Sequence, residues 1–199
     1  MGKRYIHFDI ESHNAGRQYG MPAHEFVRLF QWAENDGPVE LKEVHTEGDL
    51  EFVRGVLRSA DYVVGHNITS FDLSVIFGTD SMEPLEMALA GKVIDTFVMA
   101  SLVNPAPYSY TNKDGRQVFD GAKPERAKSW LSLAEQAHQL QVSGKFGSLQ
   151  DLAKKYNPAK TLVRDLDYSL IPLDDVDFLE YARQDVVATR GVYYALLGM

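Results

Sequence analysis

The chain has no cysteine among its 199 residues. Disulfides and thiolate metal sites are therefore excluded, and a reducing, cytoplasmic setting is compatible with that absence. There is no run of 18 apolar residues, so no membrane-spanning helix is expected. Met1-Gly2-Lys3-Arg4 leads straight into the stretch at Tyr5, without the apolar core of a secretory signal. Ile6 argues against myristoylation at Gly2. Neither Gly-x-x-x-x-Gly-Lys-Ser/Thr nor Gly-x-Gly-x-x-Gly occurs, which removes support for triphosphate and dinucleotide folds. The histidines at 13, 24, 45 and 138 lack metal-type spacing. His7 reads as a core-edge residue and His66 as structural. An excess of positive charge is also missing: the net charge is −8, which argues against a strong, salt-dependent grip on long duplex DNA.

What is present suits a single domain over 1–199, with 45% hydrophobic residues and enough chain for a full core. Strands are expected at 4–10, 26–32, 39–45 and 62–65, with Asn35-Asp36-Gly37-Pro38 turning between the second and third. A helix capped by Asp49 is expected to run to about Ser59, burying Leu50, Val53 and Leu57. Short helices follow over 71–77 and 84–90. Ile94-Asp95-Thr96 ends a strand and opens a helix to about Val103. Further helices are expected over 129–140 and 148–156, capped by Ser129 and Ser148, and a long one begins after Asp174 or Asp175. Three successive strands followed by helix–strand alternation imply an α/β fold, a mixed sheet with helices on both faces.

Four acids stand in three places. Asp9 and Glu11 are i and i+2 in the first strand and so project from one face. Two carboxylates that close repel unless something positive lies between them. Tyr181 and Asp185 are i and i+4 on the last helix and share a side. Asp72 follows the strand-to-turn segment Val63-Val64-Gly65-His66-Asn67-Ile68-Thr69-Ser70-Phe71. Each has an ordinary reading as well: a solvated strand end, an amphipathic helix face, a helix cap.

Taken in order, Asp-x-Glu, Asn-x-x-x-Phe-Asp and Tyr-x-x-x-Asp resemble the DEDD (DnaQ-like) 3′→5′ exonuclease superfamily. Tyr181, four before the last Asp, resembles its tyrosine subgroup; the histidine subgroup would carry His where Glu180 stands. Val93-Ile94-Asp95-Thr96 and Lys145-Phe146-Gly147-Ser148-Leu149 extend the likeness to the proofreading domain of phage-type family A DNA polymerases, from about residue 4 to about 197. The resemblance implies an RNase H-like five-stranded sheet and two divalent cations, Mg²⁺ or Mn²⁺. It implies that Asp9 is shared by both ions, that Glu11 and Asp185 complete the one that activates water, and that Asp72 holds the second. Tyr181, with a reference pKa of about 10, is a poor base at neutral pH and is assigned to orienting water. Asn67 and Phe71 become candidates for contact with the terminal nucleotide. The implied substrate is the 3′ end of single-stranded DNA, the product a nucleoside 5′-monophosphate, and the partner a DNA polymerase. If the chain is phage-encoded, the compartment is the host cytoplasm.

Residues 113–164 hold ten Lys/Arg against five Asp/Glu, a local balance of +5 that leaves −13 elsewhere. Such a zone can steer phosphate, or it is ordinary solvated surface. Within 104–128, Tyr108-Ser109-Tyr110-Thr111 and Arg116-Gln117-Val118-Phe119 flank Asn112-Lys113-Asp114-Gly115, a hairpin elaboration with Gly at a positive-φ position. Tyr108, Tyr110, Lys113 and Arg116 are its candidate substrate contacts, by stacking and by charge; a hairpin packed on its own aromatics fits equally. Three other functions use the same residues or their like. An RNA-trimming exonuclease would share the site. A haloacid-dehalogenase-type phosphatase expects Asp at position 11, where Glu stands. A non-catalytic nucleic-acid-binding module would have no use for buried carboxylates, which are costly to keep.

Overall fold

The computed structural model describes residues 2–106, 109–111, 114–115, 117–119, 130–142, 148–160, 162 and 165–199. In chain order the elements are β1 (Tyr5–Ser12), α1 (Ala23–Phe26), β2 (Val27–Glu34), β3 (Glu40–Glu43), α2 (Glu47–Ser59), β4 (Tyr62–Gly65), α3 (Asp72–Phe77), α4 (Glu83–Leu89) and β5 (Val93–Asp95). They continue with α5 (Thr96–Val103), β6 (Ser109–Thr111), β7 (Gln117–Phe119), α6 (Leu133–Gln139), α7 (Leu149–Tyr156) and α8 (Val176–Leu197). Strands β1 to β5 form one sheet in the order β3-β2-β1-β4-β5. Neighbours are antiparallel from β3 to β1 and parallel from β1 to β5. This is the mixed five-stranded α/β sheet expected for an RNase H-like fold.

Strand alternation sorts the two faces. Ile6, Phe8 and Ile10 of β1 pack with Phe30 and Trp32, with Leu50, Val53 and Leu57 of α2, and with Leu73 and Ile76 of α3. The opposite face carries Leu29 of β2, which packs with Phe178 and Ala182 of α8. Asp9 and Glu11 belong to that second face, beneath α8. Strand β1 runs two residues past the expected end, so Glu11 lies within the ladder. The register then shifts between Glu11 and Ser12. The extra residue at that irregularity is Arg28 of β2, opposite the step from Glu11 to Ser12.

Several helix starts differ from expectation. The N-cap of α2 is Thr46, not Asp49; Asp49 is the reciprocal partner of a capping box. The Thr46 hydroxyl accepts from the Asp49 N–H at 3.2 Å while the Asp49 carboxylate takes the Thr46 N–H at 3.0 Å. Acid at the third helical position does this as well as acid at the cap. The helix expected over 129–140 spans Leu133–Gln139 and is capped by Ser132; Ser129 lies outside the described residues. Ser148 stands at the N-cap of α7 but makes no side-chain cap bond. Asp175 caps α8, accepting from the Phe178 N–H at 2.9 Å. Strands β6 and β7 pair as the expected hairpin, Ser109 opposite Phe119, and Gly115 has φ +74°.

Candidate functional site

Three of the four carboxylates converge. Ligand oxygens of Asp9, Glu11 and Asp185 all lie within 4.8 Å of one another. Glu11 and Asp185 are each only 6% exposed. The β1 pleat brings the first two to one face, and the α8 turn carrying Ala182 and Phe178 into the core lowers Asp185 onto them. Tyr181 completes the group. Burial raises its pKa well above the ordinary tyrosine value, and Asp185, Glu11 and Asp9 push it further, with a hydrogen bond to Asp185 acting the same way. The phenol is held in its protonated form, and its hydroxyl donates to Asp185.

Asp72 lies outside the set of three that share one small volume. It is 4% exposed, at the first helical position of α3, behind Phe71 as N-cap. Burial raises its pKa, and Asp95 adds to the rise; backbone interactions with Asp72 itself and with Ile10 oppose it. Ile10 is the residue between Asp9 and Glu11, so Asp72 adjoins the same stretch of β1. A buried acid with a raised pKa favours the neutral form until a cation is supplied.

The segment that delivers Asp72 is held by a residue the sequence reading had not placed in the site. Asp95, at the end of β5, is 6% exposed. Its carboxylate accepts from the Asn67 N–H at 2.8 Å, the Thr69 N–H at 3.0 Å, the Thr69 hydroxyl at 2.6 Å and the Phe97 N–H at 3.0 Å. One side chain thus caps α5 and fixes the turn after β4. Asn67 sits in that turn at φ +64°, a left-handed conformation Asn tolerates. Gly65 is required by close approach: a Cβ there would come within 2.1 Å of Ile68 Cγ2. The Phe71 ring packs edge-on against Phe26, centroids 6.2 Å apart, at the rim of the core.

Two residues of β2 also reach the site. Gln31 lies directly across from Asp9 in the ladder. Its Nε2 donates to Asp9 Oδ2 at 2.8 Å and to Glu11 Oε1 at 3.5 Å. Arg28 donates to the carbonyls of Tyr168, at 2.8 Å, and Ile171, its guanidinium 5.7 Å over the Phe178 ring. Burial lowers its pKa, and the nearby Glu11 and Asp167 carboxylates partly restore it. No local motif announces either residue: Gln31 takes its meaning from the strand opposite, and Arg28 from the Tyr168 and Ile171 carbonyls far along the chain.

His7 is fully buried rather than at the core edge, between β1 and the Tyr193 and Tyr194 rings. Burial and then Arg190 lower its pKa to about 4, against a small opposing pull from Asp36. An aromatic lid over an inward strand position excludes water more fully than the sequence suggests. His66 accepts or donates at Thr96 Oγ1, 2.9 Å, as a structural residue should. Side chains of Tyr108, Tyr110, Lys113 and Arg116 lie outside the described residues. Two cations of the basic zone are paired: Lys154 with Asp151 at 2.9 Å, and Lys155 with Asp175 at 2.9 Å and Asp177 at 3.6 Å. No described helix is long and apolar enough to cross a membrane.

No protein-family model matches the chain, and no curated protein does. Among solved structures it is similar to the family B DNA polymerase from the hyperthermophilic archaeon Pyrobaculum calidifontis, with 18% identity and a TM-score of 0.39. That similarity covers 99% of this chain and 25% of the polymerase chain.

Proposed function

We propose that the chain is a metal-dependent 3′→5′ exonuclease of the DEDD superfamily's tyrosine subgroup, acting on the 3′ end of single-stranded DNA in proofreading, replication or repair. The observation that carries the reading is the meeting of Asp9, Glu11 and Asp185 within 4.8 Å, with Tyr181 hydrogen-bonded to Asp185 beside them. An all-oxygen donor set of this kind fits Mg²⁺ or Mn²⁺. When bound, two such cations lower the pKa of the attacking water and stabilise the leaving 3′ oxygen. Asp9, Glu11 and Asp185 would hold one, and Asp72 with Asp9 the other. Tyr181, whose hydroxyl donates to Asp185 in the unloaded site, would align the attacking water by hydrogen bonding once a cation engages that carboxylate. Asn67 and Phe71 frame the terminal nucleotide, and the β6–β7 hairpin, through Tyr108, Tyr110, Lys113 and Arg116, holds the strand upstream. The 3′→5′ polarity and a DNA polymerase as partner rest on the motif resemblance, and the single-domain organisation over 1–199 on chain length and composition.

The test is hydrolysis of DNA and RNA oligonucleotides of one sequence, with Mg²⁺ or Mn²⁺ and with chelator, products separated by chromatography. Nucleoside 5′-monophosphates from DNA, abolished by chelator, are expected. Faster release from RNA would reassign the substrate, and no release from either polymer would contradict the reading.

A further inference from the structure

Gln31 carries a buried amide where the fold asks for none. Its Cα partner across the ladder is Asp9, and on the same face of β2 its neighbours are Leu29 and Ala33, both fully buried and apolar. Gln31 is itself fully buried, and among the described residues its Oε1 has no hydrogen-bond partner. A buried carbonyl left without a partner is destabilising, and an apolar residue at this position would avoid that cost. The stability argument thus favours leucine or methionine at 31. What the amide supplies is its other end: one nitrogen donates to Asp9 Oδ2 and to Glu11 Oε1 together.

We propose that Gln31 is a positioning residue of the carboxylate site, holding Asp9 and Glu11 in the orientation that accepts a divalent cation. The inference rests on the metal-site reading above. Three carboxylates with oxygens this close repel one another and, unrestrained, rotate apart. The Gln31 N–H groups oppose that rotation without adding charge. By donating to Oδ2, the amide holds the plane of the Asp9 carboxylate. A lysine in its place would neutralise the site and compete with the cation; a glutamate would add a fourth like charge. Groups that orient metal ligands from behind typically account for 10- to 100-fold in metal affinity.

The experiment measures Mn²⁺ binding directly, by the electron paramagnetic resonance signal of free Mn²⁺, on wild type, Gln31→Met and Asp185→Ala. Methionine keeps the length and removes both donors. Gln31→Met is expected to bind Mn²⁺ about 10- to 100-fold more weakly, with an unchanged circular dichroism spectrum, and its nuclease rate is expected to recover as Mn²⁺ is raised. If wild type binds no Mn²⁺, the metal-site reading itself fails. If wild type binds, Asp185→Ala does not, and Gln31→Met matches wild type, the site stands and the role of Gln31 is overturned. Should Gln31→Met fail to fold, Gln31→Asn, whose amide is one methylene too short to reach, is read the same way. Loss of fold in both variants would also overturn the proposal, since it would assign Gln31 to the core alone.

Discussion

Tyr181 stands against three acids, and its chemistry follows from that company. Burial and the negative charges of Asp185, Glu11 and Asp9 all raise its pKa. A raised pKa favours the protonated phenol in the metal-free site. A hydrogen-bonding role for the neutral phenol, with a reference pKa of about 10, predicts no rise in rate from Tyr181 ionisation between pH 7 and pH 9. Tyr181→Phe should lower the turnover rate roughly 10- to 1000-fold, as expected for one positioning hydrogen bond, by the same factor at pH 7 and pH 9. A wild-type rate that rises with an apparent pKa between those values, and loses that rise in Tyr181→Phe, would make the phenolate a base instead. At this scale much of the site is legible in the chain, because two simple periods announce it: i, i+2 for Asp9 and Glu11, i, i+4 for Tyr181 and Asp185. Gln31 is not legible, since a strand partner is chosen by register, and no local pattern records which residue faces Asp9.

The turn between β4 and α3 is an element held from outside itself. Asp95 binds two of its backbone N–H groups and the Thr69 hydroxyl, and caps α5 with the same carboxylate. Asp95→Ala leaves those donors unpaired, at about 1–3 kcal/mol for each one that water does not reach. The thermal midpoint is expected to fall, and nuclease activity to fall further than Asp95→Asn, which retains one acceptor oxygen. Equal midpoints for wild type and Asp95→Ala, by circular dichroism, would mean that the turn is self-supporting. The β6–β7 hairpin offers a second test at this scale. Replacing 109–118 with a short Gly-Ser turn should leave hydrolysis of a chromogenic thymidine monophosphate ester near normal. It should raise the Michaelis constant on a single-stranded 20-mer, by an amount set by about 1–3 kcal/mol for each base stack lost. Equal kinetics on the 20-mer would make the hairpin a bystander. Strands and the long helix were readable from periodicity and turn residues. Helix starts were less so, because Thr46 and Asp49 serve one capping box, and either looks like the cap until the reciprocal bonds are seen.

Across the whole molecule, a mixed sheet buries apolar side chains on one face against α2 and α3 and on the other against α8. The acids stand on the α8 face, where the apolar packing around Phe178 and Ala182 gives way to polar side chains. The net charge of −8 leaves long-range attraction for DNA weak. Ion pairs at Lys154 and Lys155 reduce it further within the basic zone. Binding should then depend on the terminal nucleotide and local contacts more than on polymer length. The central claim is tested most directly by digesting 5′-labelled single-stranded DNA with Mg²⁺, products resolved by length, beside Asp185→Asn purified identically. That variant keeps the side-chain shape and removes one of three like charges, so its thermal midpoint without metal should be no lower than wild type. A ladder shortening from the 3′ end is expected with wild type, and intact substrate with Asp185→Asn. A ladder of equal rate with both proteins, or immediate appearance of labelled mononucleotide, would contradict it.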